Sequence, residues 1–312
     1  MLKPFEINDV SDWTEYVGLP VKGKIPKTWL VSPELNKYFL FKVPRQNTGE
    51  IWAEKIFSEV GKLVGIKTHN VYFAKRMSFD GSYIIGIICE NIARKSENLI
   101  EAYELFSTEY NNFDKRNDIR YNVSNTLKIV KSQFSGIVER VDLENILNDF
   151  FTMIIFDALM GYTDRHCENW GLLFSEGKIS FAPLYDNGSC LGREFCSKIN
   201  NCNTEIGCKK ILQKLNSPKD FSNYLIKAKS LILYDTCTPE SHFNLIQKIV
   251  NSKNGDRLIR IWENIIARIS DEQIIDVINK IPEEIMCINQ KNFAQKIIFE
   301  RRRILNEILM GG

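Results

Sequence analysis

Long apolar runs, the residue order of a leader peptide and an excess of charge of one sign are all missing from this sequence. No apolar stretch approaches the ~20 residues that a membrane-spanning helix needs. Met1-Leu2-Lys3-Pro4-Phe5-Glu6 lacks the charged-then-apolar order of a signal peptide. The expectation is a protein that is cytoplasmic at least where it is made and has no membrane partner. The formal net charge is +2, from 41 Lys and Arg against 39 Asp and Glu, so direct nucleic-acid binding is not expected either. Eight cysteines in 312 residues are too sparse for a disulfide framework. Cys190, Cys196, Cys202 and Cys208 recur every six residues, but without a Cys-x-x-Cys or a nearby histidine they form no usual zinc set. The three histidines, His69, His166 and His242, are scattered and suggest no cluster. With 44% hydrophobic residues the chain can fill a sizeable core, as one large domain or two lobes.

What is present centres on Thr163-Asp164-Arg165-His166-Cys167-Glu168-Asn169-Trp170-Gly171 and, beyond a short hairpin, Asp186-Asn187-Gly188. Leu172-Leu173-Phe174 and Ile179-Ser180-Phe181 flank the turn-forming Ser175-Glu176-Gly177-Lys178, so the two runs fold back on each other. That hairpin brings the loop before it and the Asp-x-Gly after it to one end. Two carboxylates and an amide oxygen then converge, a hard-oxygen set suited to Mg²⁺ on a nucleotide. On this logic Asp164 accepts the proton of an acceptor hydroxyl, while Asn169 and Asp186 ligate metal, and the expected cofactors are ATP and Mg²⁺. His166 belongs to the same catalytic loop and reads as a polar brace within it. Leu143, Ile146, Leu147, Phe150, Phe151 and Ile154 predict the helix feeding the loop, apolar nearly all round from Phe150 to Met160. Asp157 interrupts that apolar stretch and is expected to brace the loop, because a buried carboxylate needs partners.

Upstream the pattern is strand-rich. Thr28-Trp29-Leu30-Val31 and Lys37-Tyr38-Phe39-Leu40-Phe41-Lys42-Val43 flank the turn Ser32-Pro33-Glu34-Leu35-Asn36. Period two puts Lys42 on the face of Tyr38 and Leu40, where a phosphate-binding lysine is needed. A helix is predicted from about Glu50 to Val64, with Asn47 and Glu50 at capping-box spacing. Glu54 and Glu59 lie at opposite edges of its apolar face, and the spacing does not choose which of them reaches Lys42. Val71-Tyr72-Phe73-Ala74 and Tyr83 to Ile88 form a hairpin through Asp80-Gly81. It ends at Glu90, Asn91 and Ile92, where hinge backbone groups are expected to meet adenine. No G-x-G-x-x-G covers the phosphates; only Gly18 and Gly23 fall in the appropriate stretch, with Lys22 and Lys24 as basic candidates.

The order Asp164-Arg165-His166, embedded in Asp157-Ala158-Leu159-Met160-Gly161-Tyr162-Thr163 and followed by Ala182-Pro183-Leu184-Tyr185-Asp186-Asn187-Gly188-Ser189, resembles the HipA-like serine/threonine kinases, and their short stand-alone members in particular. Phosphatidylinositol-type lipid kinases share the Asp-Arg-His order and remain a neighbouring reading. The resemblance implies an α+β, two-lobed protein-kinase-like fold. Its N-terminal lobe, 1–92, would be a small antiparallel sheet with one helix, and its C-terminal lobe, 93–312, mainly helical. It also implies Glu54, eleven residues before Gly65-Ile66, as the partner of Lys42. The catalytic set it implies is Asp164, Lys42, Glu54 and His166.

Ser189 to Gly207 shows no periodicity and reads as an activation-type segment; Ser189, Ser197 and Thr204 are autophosphorylation candidates. From Ile211 onward helical spacing returns, and Arg301-Arg302-Arg303 reads as a solvated face. Larger HipA toxins pair with a DNA-binding antitoxin and carry a subdomain before the kinase core. Lys42 stands so close to Met1 that no such subdomain is expected, leaving a separately encoded partner or a stand-alone role. Release by a signal-peptide-independent route is a further expectation of the resemblance. The function expected is ATP-dependent phosphorylation of protein serine or threonine. Alternatives are a lipid or small-molecule kinase, AMP transfer, and a nucleotide-binding pseudokinase scaffold.

Overall fold

Two short runs rich in aromatic and aliphatic residues, Lys27–Val31 and Tyr38–Lys42, fold back on each other as the first hairpin. In the computed structural model, which describes residues 2–19, 26–94, 96–175, 177–195 and 205–311, β3 (Lys27–Val31) and β4 (Tyr38–Lys42) pair antiparallel, with Trp29 opposite Leu40. Asn36 closes the turn at φ 48°, a left-handed conformation that asparagine tolerates. Phe39 and Phe41 point to one face of the sheet, where they bury a small cluster with Val10, Leu30, Ala74 and Ile88. Lys42 therefore points to the other face.

β5 (Val71–Met77) and β6 (Tyr83–Glu90) form the expected second hairpin, and β6 also pairs with β4. Two short strands widen the sheet beyond what alternation predicted. β1 (Ile7–Asp9) joins the edge of β5 in parallel, and β2 (Thr14–Glu15) joins β3. The sheet thus has six strands in the order β1-β5-β6-β4-β3-β2 and is antiparallel except at β1.

Helix α1 (Glu50–Leu63) packs its apolar face, with Ile56, Phe57 and Val60, into the main core. Phe57 meets Phe156 edge-on at 4.6 Å between centroids, which fixes α1 against α4 (Arg140–Met160). The expected Asn47 cap does not form: Gly49 is the N-cap, without a side-chain hydrogen bond, and Asn47 lies in a turn at φ 59°. Glu50 is drawn instead into ion pairs with Arg45 and Arg193, which outweigh a reciprocal cap.

α4 is buried over its last eleven residues except Thr152, and Gly161 ends it in the left-handed region at φ 66°. β8 (Gly171–Ser175) and β9 (Lys178–Phe181) are the expected hairpin, and β7 (Asn98–Glu101) adds a third strand. Trp170 stacks on Phe181 with rings 5.4 Å apart. Helices α2 (Ala102–Glu109) and α3 (Val123–Phe134) precede α4. After the hairpin come α5 (Glu205–Leu215), α6 (Pro218–Lys227), α7 (His242–Val250), α8 (Gly255–Ile266), α9 (Asp271–Asn279) and α10 (Ile288–Met310). The whole is α+β, with a curled N-terminal sheet and a helical C-terminal part. Among the described residues no helix is long and apolar enough to cross a membrane.

The arginine run on α10 departs from the solvated face expected of it. Arg303 is exposed and pairs with Glu300 and Glu307, and Arg302 reaches Asp271. Arg301 is buried, giving Nε to the Ala158 carbonyl and Nη1 to that of Leu225. Carbonyls at the end of a helix need donors from elsewhere, and Arg301 supplies one to α4 beside Gly161. Burial pulls its pKa down to about 9.

Candidate active site

The loop after α4 is held by buried side chains and not by regular structure. Arg165 forms a fork to Asp157, Nε to Oδ2 and Nη2 to Oδ1, both 2.8 Å. Its remaining donors reach the carbonyls of Asn169 and Tyr185 at 2.7 and 3.2 Å, and Asn187 Oδ1 at 2.9 Å. Asp157 thus braces the loop through Arg165, which ties the Asp164 segment to the Asp186 segment. Burial raises the Asp157 pKa against the pull of Arg165. Planar, two-pronged recognition of a carboxylate is what arginine does and lysine cannot.

Tyr162 performs a second tie. Its hydroxyl hydrogen-bonds the carbonyl of Asp186 at 2.7 Å, lies 3.2 Å from that of Asp164, and accepts from Asn169 Nδ2 at 3.1 Å. Asn169 Nδ2 also donates to the Asp164 carbonyl at 2.8 Å, so its nitrogen is engaged and Oδ1 is left as the free ligand atom among the described contacts. Asp186 sits at φ 56°, a strained backbone for a non-glycine residue. A Cβ on Gly188 would come within 3.0 Å of the Glu50 carbonyl, so the glycine lets this turn close on the start of α1.

Lys42 joins the two halves of the site. Its Nζ lies 2.9 Å from Glu54 Oε1 and 3.1 Å from Asp186 Oδ1. Burial alone would depress the ammonium, but Asp186 and Glu54 more than offset it and hold its pKa well above the usual lysine value. Lys42 in turn holds the Asp186 carboxyl far below the usual range, against burial, with Lys27 adding to the effect. Asp186 is therefore ionised and, at 39% side-chain exposure, open to the cleft. Burial opposes the Glu54 charge, yet Lys42 and then His69 keep its pKa low. His69 Nε2 is 3.0 Å from Glu54 Oε1. Glu59, the alternative partner, pairs with Lys55 and Lys62 instead.

Asp164 is reached from outside by Arg116 of the α2–α3 connection, with Nη1 2.9 Å from Oδ1. His166 is buried, with Nδ1 accepting from the Glu168 amide at 3.2 Å, and burial lowers its pKa despite Asp164. It is placed as a brace beside Asp164. At the expected hinge, the Glu90 amide donates to Asn70 and that of Asn91 to Tyr38, each at 3.0 Å. Both are spent in the sheet, and only the Ile92 N–H donates to no described residue. The Glu90 carboxylate binds Lys37 and Asn70. Lys22, Lys24 and Gly23 lie outside the described residues, as do Cys196, Cys202, Ser197 and Thr204. Ser189 is buried, and its carbonyl accepts from both the amide and the hydroxyl of Thr163.

Several contributors carried no local signal. Tyr162 and Arg116 act through contacts that no spacing rule anticipates. Lys27 was findable in principle, since hairpin register sets it opposite Lys42. The histidines, scattered in sequence, all pack around the site: His69 on Glu54, His166 beside Asp164, and His242 with Nε2 2.6 Å from the Tyr162 carbonyl. Glu54, His69 and Cys89 bring ligand atoms within 4.8 Å of one another. The Lys42 ammonium already occupies Glu54, and burial pushes the Cys89 thiol far up, so this trio does not suit a cation. Of the six-residue cysteine series, Cys190 is buried and Cys208 lies 3.6 Å, sulfur to sulfur, from Cys287.

No protein-family model matches the chain. In sequence it is 25% identical over 155 residues to the serine/threonine-protein kinase CtkA of Helicobacter pylori, a match spanning 49% of this chain and 43% of that protein. The match therefore covers less than half the length of the curated relative. In structure it is similar to the crystal structure of the H. pylori proinflammatory kinase CtkA, with a TM-score of 0.78, 19% identity and 98% of both chains covered. It is also similar to HipA of Shewanella oneidensis, solved with HipB and operator DNA. There the TM-score is 0.57 and the identity 14%, over 99% of this chain and 72% of HipA. Structural likeness at such identities establishes the fold alone. The resemblance read from the Asp164-Arg165-His166 and Asp186-Asn187-Gly188 segments is borne out: the chain is similar to CtkA in sequence and shares the fold of CtkA and HipA.

Proposed function

We propose that the chain is an ATP-dependent protein serine/threonine kinase. The observation that carries this reading is Lys42 Nζ bridging Glu54 Oε1 and Asp186 Oδ1 beneath the loop that holds Asp164. A structural ion pair needs one acid; a cation shared between a buried and an exposed carboxylate is poised to exchange the exposed one for phosphate. The donor set fits Mg·ATP: Asp186 is an ionised carboxylate open to the cleft, and Asn169 has its nitrogen engaged and its oxygen free. Asp186 and Asn169 would hold Mg²⁺, which supplies charge neutralisation at the transferring phosphoryl group. Lys42, with Lys27 beside it, would meet the phosphates, and the Ile92 N–H is the hinge donor left for adenine. Asp164 would orient the acceptor hydroxyl and take its proton.

The cleft between Lys42, Glu50, Asp164, Asp186 and Ser189 encloses only about 30 Å³. A nucleotide enters only if it widens. Ser189 is pinned by Thr163 and is not the acceptor we favour for self-phosphorylation. The test is incubation of purified protein with γ-labelled and, separately, α-labelled ATP. Label on serine or threonine from the γ position alone is the expected result. Transfer from the α position would mean AMP transfer, and no transfer with retained ATP binding would mean a pseudokinase.

A further inference from the structure

A second concavity lies on other elements and shares no lining residue with the Lys42 cleft. It is formed by the end of α1 and the segment after it, by α4, by β9 and by α8, and encloses about 570 Å³. That is within the range of small-molecule sites, roughly 300–1,000 Å³. Its floor is apolar, with Val64, Met153, Phe181 and Ile265. Its rim is basic, with Lys67, Arg257, Arg260 and Arg268.

Of these four cations only Arg257 forms an ion pair among the described residues. Arg257 is paired, through Nη2, with Glu144 at 2.6 Å. Arg268 makes a 3.3 Å hydrogen bond to the Val64 carbonyl, Lys67 has the charge of Asp149 nearby but no ion pair with it, and Arg260 forms no side-chain hydrogen bond or ion pair among the described residues. Arg257, Arg260, Asn264 and Arg268 follow one another at spacings of three and four, so they form one stripe of α8 and its continuation. Arg257 and Arg260 are thus like charges one turn apart on the same face of α8. The single acid in the lining, Asp149, is half-buried, and burial raises its pKa against the nearby Lys67.

We infer that this cleft is a second binding site, for a small phosphorylated ligand with an apolar or aromatic body. Phosphate oxygens would take Lys67, Arg260 and Arg268 at the rim, and the body would cover the Val64, Met153 and Ile265 floor. Asp149, with Asn148 and Thr152 beside it, would accept from a hydroxyl or amino group of the ligand. A concave volume of this size favours a small molecule over a protein partner, whose interface is broader and flatter. Nothing in this inference depends on phosphoryl transfer at Asp164.

The test is calorimetric titration of the full chain with phenyl phosphate and, separately, with inorganic phosphate. Phenyl phosphate should bind the wild type and Lys42→Ala alike. It should bind Lys67→Glu/Arg260→Glu about tenfold more weakly or worse, because charge-assisted hydrogen bonds become repulsions. Both replaced side chains are exposed and form no ion pair among the described residues, so the variant should keep its circular dichroism and melting profile. Inorganic phosphate should bind more weakly than phenyl phosphate. No binding of either probe at millimolar concentration, or binding that survives the charge reversal, or binding lost in Lys42→Ala, would each overturn the assignment. Equal affinity for the two probes would overturn the apolar-body part of it.

Discussion

Arg116 Nη1 lies 2.9 Å from Asp164 Oδ1, so the carboxylate expected to take the acceptor's proton already carries a counter-ion. Arg116 is half exposed, at 51%, and an exposed pair contributes at most about 1 kcal/mol to stability. Its position suits charge control: with a triphosphate in the cleft, Asp164 would otherwise face added negative charge. Arg116→Ala should therefore leave the melting temperature nearly unchanged and lower kcat/KM for ATP by about tenfold. Arg116→Lys should recover most of that loss. Unaltered kinetics in Arg116→Ala would make the contact incidental.

Asp164 and Asp186 should separate cleanly. Asp164→Asn should abolish phosphoryl transfer while leaving Mg·ATP affinity nearly intact, because Asp164 is assigned to the acceptor. Asp186→Asn should also weaken metal-dependent nucleotide binding, since it removes the ionised ligand that Lys42 holds ready. Calorimetric titration of both variants decides it, and equal losses of affinity would contradict the division.

Lys42 and Glu54 act as one unit if the 2.9 Å contact is functional. Each alanine replacement should slow turnover by about a hundredfold, and the double variant should be little worse than either single one. Glu59→Ala is the control, because Glu59 serves the buried Lys55 and the exposed Lys62, away from Lys42. A double variant whose losses simply add would break the coupling.

Much of this site was legible where one residue's role follows from local period or spacing. Strand parity placed Lys42 on the inner face, turn composition placed both hairpins, and the motif order brought Asp164, Asn169 and Asp186 together. The choice between Glu54 and Glu59 came from resemblance, because both flank the apolar face of α1. What stayed hidden was tertiary. β1 is three residues long and held by pairing to β5. Arg301 looks like one charge in a run, and only the packing of α10 against α4 buries it. Glu50 satisfied a capping-box spacing but had stronger partners in Arg45 and Arg193, which lie five and 143 residues away. Periodicity cannot see a partner at such separation.

Stability should depend on pH through His242. It is fully buried, with Nε2–H donating to the Tyr162 carbonyl, and burial followed by Arg301 pushes its pKa down to about 3 from an ordinary 6.5. The unfolded chain takes up a proton there below pH 6.5 and the folded chain does not. Stability is therefore full above that value and declines as pH falls toward 3. Between pH 7 and 5 this one group should cost about 2 kcal/mol. Urea unfolding at the two pH values measures the slope, and His242→Gln should remove that share of it. An unchanged slope in the variant would locate the titration elsewhere.

The acceptor should be protein and not lipid. A phosphoinositide head group needs an excess of free Lys and Arg on the segment that receives it. Ser189 to Cys208 carries Arg193 and Lys198 against Glu194 and Glu205, a formal balance of zero. Arg193 is moreover committed to Glu50 at 2.6 Å, and Glu194 accepts from the Tyr224 hydroxyl. An anionic head group would find no unpaired arginine among the described residues of this segment. Incubated with ATP and both a generic protein substrate and phosphoinositide vesicles, the chain should label serine or threonine, its own included, and leave the extracted lipid unlabelled. Phosphosite mapping should place self-labelling on residues other than the pinned Ser189. Label confined to the lipid fraction would reverse the assignment.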